Sequence, residues 1–205
     1  MLRRSGLVLL LLAAAVATVA AGRKPRRGDT CVFGQAECLG GDSALFCGMD
    51  GAYLAVACRG RDGCERDGAR VSCDQSIALD GDACTRPGFA CSADLRSVLA
   101  CREGQLTIAQ RCEGPFGCRV APFDGFAPGG VGNVLCDNDV ARSGDPCLDD
   151  GDRACTADRT EALVCSANRM VTLRRCDGPG GCSVVHRTPK ATDVECDSSD
   201  DAEPY

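Results

Sequence analysis

Apolar side chains fall along this chain in one long block and three short, repeated ones. The long block is Leu7 to Ala21, fifteen small or apolar residues behind Arg3 and Arg4, with a small-residue exit at Val19, Ala20 and Ala21. A membrane-spanning helix needs about 20 apolar residues, and here RKPRR follows at once, so the pattern predicts a secretory signal peptide over residues 1–21, cleaved near Ala21, rather than a retained anchor. No cysteine stands at the exit for lipid attachment, and the SGL after the arginine pair does not match a twin-arginine signal. The short blocks are Ala44-Leu45-Phe46, Val98-Leu99-Ala100 and Ala162-Leu163-Val164, each running into a cysteine. Beyond each comes a residue that tolerates positive φ (Gly51, Gly104, Asn168) and then a partly β-branched stretch. An apolar run, a turn residue and a second strand-forming run predict a β-hairpin, three times over.

Cysteine spacing gives the same count. Cys31, Cys38, Cys47, Cys58, Cys64 and Cys73 form one set, Cys84, Cys91, Cys101, Cys112, Cys118 and Cys136 a second, and Cys147, Cys155, Cys165, Cys176, Cys182 and Cys196 a third. The intervening lengths are 6, 8, 10, 5 and 8, then 6, 9, 10, 5 and 17, then 7, 9, 10, 5 and 13, so only the last gap is free to vary. Self-similarity of this kind marks tandem modules. Each opens on GDxC, at Gly28-Asp29, Gly81-Asp82 and Gly144-Asp145, and closes on Cys-Asp; the Asp before each first cysteine is expected to cap a local turn. The boundaries follow: a signal peptide over 1–21, a basic N-terminus over 22–27, modules over 28–74, 81–137 and 144–197, linkers over 75–80 and 138–143, and an acidic tail over 198–205. Both linkers have the same length and carry an apolar pair, Ile77-Ala78 and Val140-Ala141, which predicts a semi-rigid string rather than loose tethers.

Between the fourth and fifth cysteines stand CRGRDGC, CEGPFGC and CDGPGGC, where repeated glycines imply a sharp turn at which a Cβ would clash. With no Trp, two Tyr and six Phe, modules of this size cannot fold on apolar burial alone. Three disulfides per module, at about 2–4 kcal/mol each, offset the deficit. The expected fold is therefore small and disulfide-rich: three tandem six-cysteine modules, each with a short β-hairpin and little or no helix. Spacing leaves the connectivity open.

An even count of 18 cysteines, all downstream of the leader, fits an oxidising compartment: secreted, periplasmic or cell-surface. Loss of residues 1–21 removes two arginines and leaves 21 basic against 29 acidic side chains, a net charge of −8, which argues against a nucleic-acid partner. The mature chain resembles uncharacterised bacterial secreted cysteine-rich proteins built from tandem GDxC…CxGPxGC…CD units, a resemblance that implies an exported repeat scaffold and brings no activity with it. Its six-cysteine unit is similar in cysteine number to chitin-binding modules of the peritrophin type but lacks their aromatic platforms.

Chemistry-bearing motifs are few. Arg27-Gly28-Asp29 matches an adhesive tripeptide, yet Gly-Asp opens every module, so the scaffold accounts for it. Five residues between cysteines exceed a zinc knuckle, and a phosphate cradle would need the glycine loop to open a helix. Asp145, Asp149, Asp150 and Asp152 crowd around Gly151 as a weak calcium candidate confined to the third module. His186 is the sole histidine, with no Ser or Asp fixed beside it by the repeat, so no catalytic residue, metal centre or cofactor is assigned and no enzymatic activity is expected.

Divergent segments on a fixed frame are where recognition is expected. The segment between the fifth and sixth cysteines of the second module holds Phe123 and Phe126 with Pro122 and Pro128, and that of the third holds His186 and Arg187; these are the candidate binding residues. The expected function is binding of a protein or other cell-surface macromolecule, with no membrane span in the mature chain. The alternatives are a protease inhibitor presenting Val185 to Thr188, or a structural component of the envelope or matrix.

Overall fold

The computed structural model describes residues 23–120, 134–188 and 191–197. Its regular structure is all β, in three units that repeat one plan. In the first, β1 (Ala36–Cys38), β2 (Ser43–Cys47) and β3 (Tyr53–Ala57) form an antiparallel sheet in that order, and β4 (Cys64–Asp67) pairs with β5 (Arg70–Cys73) as a separate hairpin. Next comes β6 (Ile77–Ala78), followed by β7 (Phe89–Ser92), β8 (Ser97–Arg102) and β9 (Gln105–Arg111), then the hairpin of β10 (Cys118–Val120) and β11 (Val134–Cys136). The third unit repeats this with β12 (Arg153–Cys155), β13 (Glu161–Ser166) and β14 (Arg169–Arg175), and the hairpin of β15 (Cys182–Thr188) and β16 (Ala191–Cys196).

The predicted hairpins are β2–β3, β8–β9 and β13–β14, and Gly51, Gly104 and Asn168 turn them with φ of 73, 80 and 62°. The short apolar runs are explained by burial on both faces of a small sheet. In the second module Leu99 packs with Ala78, Ala90 and Leu106, whereas its neighbour Val98 packs with Cys91, Cys112 and Cys118 on the other side. Continuous rather than alternating hydrophobicity is what a strand covered on both faces requires.

All 18 cysteines pair, and the three modules share one connectivity: first to third, second to fifth, fourth to sixth. In the first module these are Cys31–Cys47, Cys38–Cys64 and Cys58–Cys73. The Gly-Asp openings are turns closed by the predicted cap. The Asp29, Asp82 and Asp145 carboxylates each accept the backbone N–H three residues earlier, at 2.8–2.9 Å.

One element is larger than its sequence implies. The segment between the fifth and sixth cysteines is a second hairpin, not an irregular loop, and its two cysteines face each other across the ladder in every module: Cys64 opposite Cys73, Cys118 opposite Cys136, Cys182 opposite Cys196. Among the described residues the base of this hairpin is the same in all three modules. The linkers are folded in as well. β6 pairs parallel to β7, with Ala78 only 1% exposed, and Val140 bridges Cys155 in the same sense, with Ala141 2% exposed. Across the junctions Ala83 packs on the disulfide cluster of the first module and Leu148 on that of the second.

Candidate partner-binding surface

The glycine loop after the fourth cysteine is a clasp around the closing Cys-Asp. In CEGPFGC the Gly114 N–H donates to the Asp137 carbonyl, the Asp137 N–H to the Gly117 carbonyl, and the Phe116 N–H to Asp137 Oδ2 at 2.9 Å. The other modules do the same with Asp62 N–H on Asp74 Oδ2 (3.1 Å) and Gly180 N–H on Asp197 Oδ2 (2.7 Å). The first glycine is obligatory because a Cβ at Gly60, Gly114 or Gly178 would run into that carboxylate. The second, at Gly63, Gly117 and Gly181, has φ of 59–62°, and a Cβ there would meet the carbonyl of Gly41, Leu95 or Arg159. The loop does bind an anion, and the anion is the protein's own aspartate.

The residue just before the second glycine supplies the N–H that meets this carboxylate. Its side chain differs from module to module, Asp62, Phe116 and Gly180, and the Gly180 carbonyl also accepts from the Arg159 guanidinium. Phe116 is 67% exposed, with the Arg119 guanidinium 5.0 Å from its ring centroid. Arg119 lies opposite Leu135 across β10–β11, and Leu135 is 54% exposed. A ring, a guanidinium and an aliphatic side chain thus form one outward patch at the base of the second module's hairpin. Aromatic and Arg side chains are enriched among interface residues that dominate binding energy. A cation over an exposed ring adds about 0.5–1 kcal/mol and holds the two side chains together.

The residues expected from sequence are distributed as follows. Phe123 and Phe126 lie outside the described residues, in the segment continuing from β10 into β11. His186 is exposed on β15 and its Nε2 lies 2.8 Å from Asp139 Oδ2, which ties the third module's hairpin to the linker before it. Arg187 is a strand residue of β15, described through its backbone only. Of the acidic quartet, Asp145 caps its turn, and Asp152 accepts a hydrogen bond from Asn138 at 3.2 Å. Burial first, and the charge of Asp149 second, raise the Asp152 carboxyl above the usual value. Among the described residues no three His, Cys, Asp or Glu side chains are grouped to hold a metal ion.

Two shallow hollows occupy equivalent places, one of about 290 Å³ lined by Arg96, Arg111 and Glu113, the other of about 350 Å³ lined by Thr160, Glu161, Arg175, Cys176 and Asp177. Their arginines already serve the scaffold: Arg96 donates to the Gly114 carbonyl, Arg111 to Ser97 Oγ, and Arg175 lies 3.9 Å from Glu161. Sequence reasoning missed Phe116, although it stands in CEGPFGC. The signal was available in the change Asp, Phe, Gly at the position just before the constant second glycine. No protein-family model, curated protein or solved structure matches the chain.

Proposed function

We propose that this is a secreted, non-enzymatic, disulfide-stapled repeat protein that binds a macromolecular partner through the hairpin between the fifth and sixth cysteines of its second module. The observation that carries the reading is the Phe116–Arg119–Leu135 patch. At the same three positions the first module has Asp62, Glu65 and Ser72, and the third has Gly180, Ser183 and Glu195. The scaffold therefore does not require an exposed ring, guanidinium and leucine there. A frame fixed by three disulfides presents them with little ordering left to occur on binding, which favours affinity. Phe123 and Phe126, between the same two cysteines in sequence, are further candidates for the contact.

The test is chemical cross-linking of the exported protein to components of its extracellular or envelope fraction, with affinity then measured for the species identified. Phe116→Ala with Leu135→Ser is expected to weaken binding by tenfold or more, which is about 1.4 kcal/mol. Equal affinity of the variant would remove the hairpin from the interface. The protease-inhibitor alternative draws less support, since Val185 to Thr188 are strand residues paired to β16 rather than a projecting loop.

A further inference from the structure

The three most exposed large apolar side chains among the described residues are Val32 (69%), Phe33 (76%) and Met49 (96%), and all three belong to one end of the first module. The backbone brings them there. Gly28 N–H donates to the Tyr53 carbonyl, Cys31 N–H donates to the Gly51 carbonyl, and Cys31 is disulfide-bonded to Cys47. Residues 26–33 are thereby laid along the turn of the β2–β3 hairpin that carries Met49. Arg23, Lys24, Arg26 and Arg27 lead into the same turn, all exposed, and none forms an ion pair among the described residues.

The other modules serve as an internal control. Where the first has Val32-Phe33 and Met49, the second has Thr85-Arg86 and Glu103, and the third Leu148-Asp149 and Ala167. Where the first has Arg23, Lys24, Arg26 and Arg27, the second has Ser76, Ile77, Leu79 and Asp80, and the third Asp139, Val140, Arg142 and Ser143. The module frame therefore demands neither the apolar trio nor the four cations. Their coincidence at one end of an otherwise acidic protein is what distinguishes this pole.

We propose that this end docks the protein on an anionic lipid bilayer, with the four cations meeting lipid headgroups and Val32, Phe33 and Met49 entering the interfacial layer. A basic cluster beside a few apolar side chains supplies the two signals that reversible membrane attachment needs. A second copy of the chain is the competing occupant, because Leu148, the counterpart of Val32, packs on the preceding module. That contact accounts for Val32 and leaves the cation cluster unexplained, so the bilayer is preferred.

The experiment is flotation of the exported chain, its N-terminus located by mass, with vesicles of phosphatidylcholine containing phosphatidylglycerol and with vesicles of phosphatidylcholine alone. Binding is expected only to the anionic vesicles, weakening as salt is raised. Arg26→Glu with Arg27→Glu should reduce it at least fivefold for each cation lost. Val32→Asp with Phe33→Asp should abolish it, with all disulfides intact by mass. Phe116→Ala should leave flotation unchanged, which separates this surface from the partner-binding patch. Flotation that is absent, indifferent to lipid charge or unaffected by these variants would overturn the proposal. So would lipid-free self-association removed by Val32→Asp, in the absence of vesicle binding.

Discussion

The second glycine of the clasp is the residue with least freedom. Gly117→Ala places a Cβ at φ 59° and against the Leu95 carbonyl, and is expected to destabilise the second module by about 1–3 kcal/mol in denaturant unfolding. Gly68, with φ of 59° and nothing within 4 Å, provides a comparison in which only the backbone strain is felt. The sequence showed that glycine recurs at these places; it could not show why. The atoms that exclude a side chain belong to an aspartate and a carbonyl far along the chain. Two carboxylates at equivalent turns offer a pH test at the same scale. The Asp94 carboxyl is held below its usual value of 3.8 chiefly by the Ser92 hydroxyl and then by the Arg96 N–H, and Asp158 by the Thr156 hydroxyl and the Thr160 N–H. A depressed folded value means that stabilisation is complete above the unfolded value and is lost only as pH falls through the folded one. Carboxyl NMR titration should show both groups titrating below 3.8, and Asp94→Asn should remove one of the two steps. Midpoints at or above 3.8 would contradict these turns.

At the scale of elements, the central hairpins were legible because each joins an apolar run to a turn residue and a second strand-forming run. The hairpins between the fifth and sixth cysteines were not. β4 is CERD and β5 is RVSC, mostly polar and exposed, so hydrophobic periodicity has nothing to report. Covalent closure at their base holds them instead. In the second module Cys118 is bonded to Cys91 and Cys136 to Cys112, which fixes both strands of the β10–β11 hairpin to the central sheet. Replacing Cys112 and Cys136 together by Ala is expected to cost about 2–4 kcal/mol and to lower partner affinity by loosening the Phe116–Arg119–Leu135 patch. Chemical denaturation and a binding titration of one variant check both effects. A stability loss with unchanged affinity would place the binding surface elsewhere.

For the whole molecule, the equal linkers predicted a semi-rigid string, and the structure shows contacts at the junctions. Arg59 pairs with Asp82 at 2.9 Å across the first junction, and Arg142 with Glu113 at 3.5 Å across the second, each exposed enough to contribute no more than about 1 kcal/mol. The apolar contacts of Ala83 and Leu148 therefore matter more, and Leu148→Asp should loosen the third module against the second, seen as a larger radius of gyration in solution scattering. The first module departs from this pattern. Lys24-Pro25 stands where the linkers have Ile77-Ala78 and Val140-Ala141, and Glu37 stands where the later modules bury Ala90 and Ala154 completely. Cysteine spacing made the modules visible but left the pairing undetermined, because spacing constrains distance along the chain and pairing depends on which strands meet. One connectivity, repeated without exchange between modules, builds the frame. Proteolysis of the unreduced protein followed by mass spectrometry tests it directly. Only first-to-third, second-to-fifth and fourth-to-sixth linked peptides are expected, such as Cys91–Cys118 and Cys112–Cys136 in the second module. Free thiols, a different pattern in any module or a bridge between modules would contradict it.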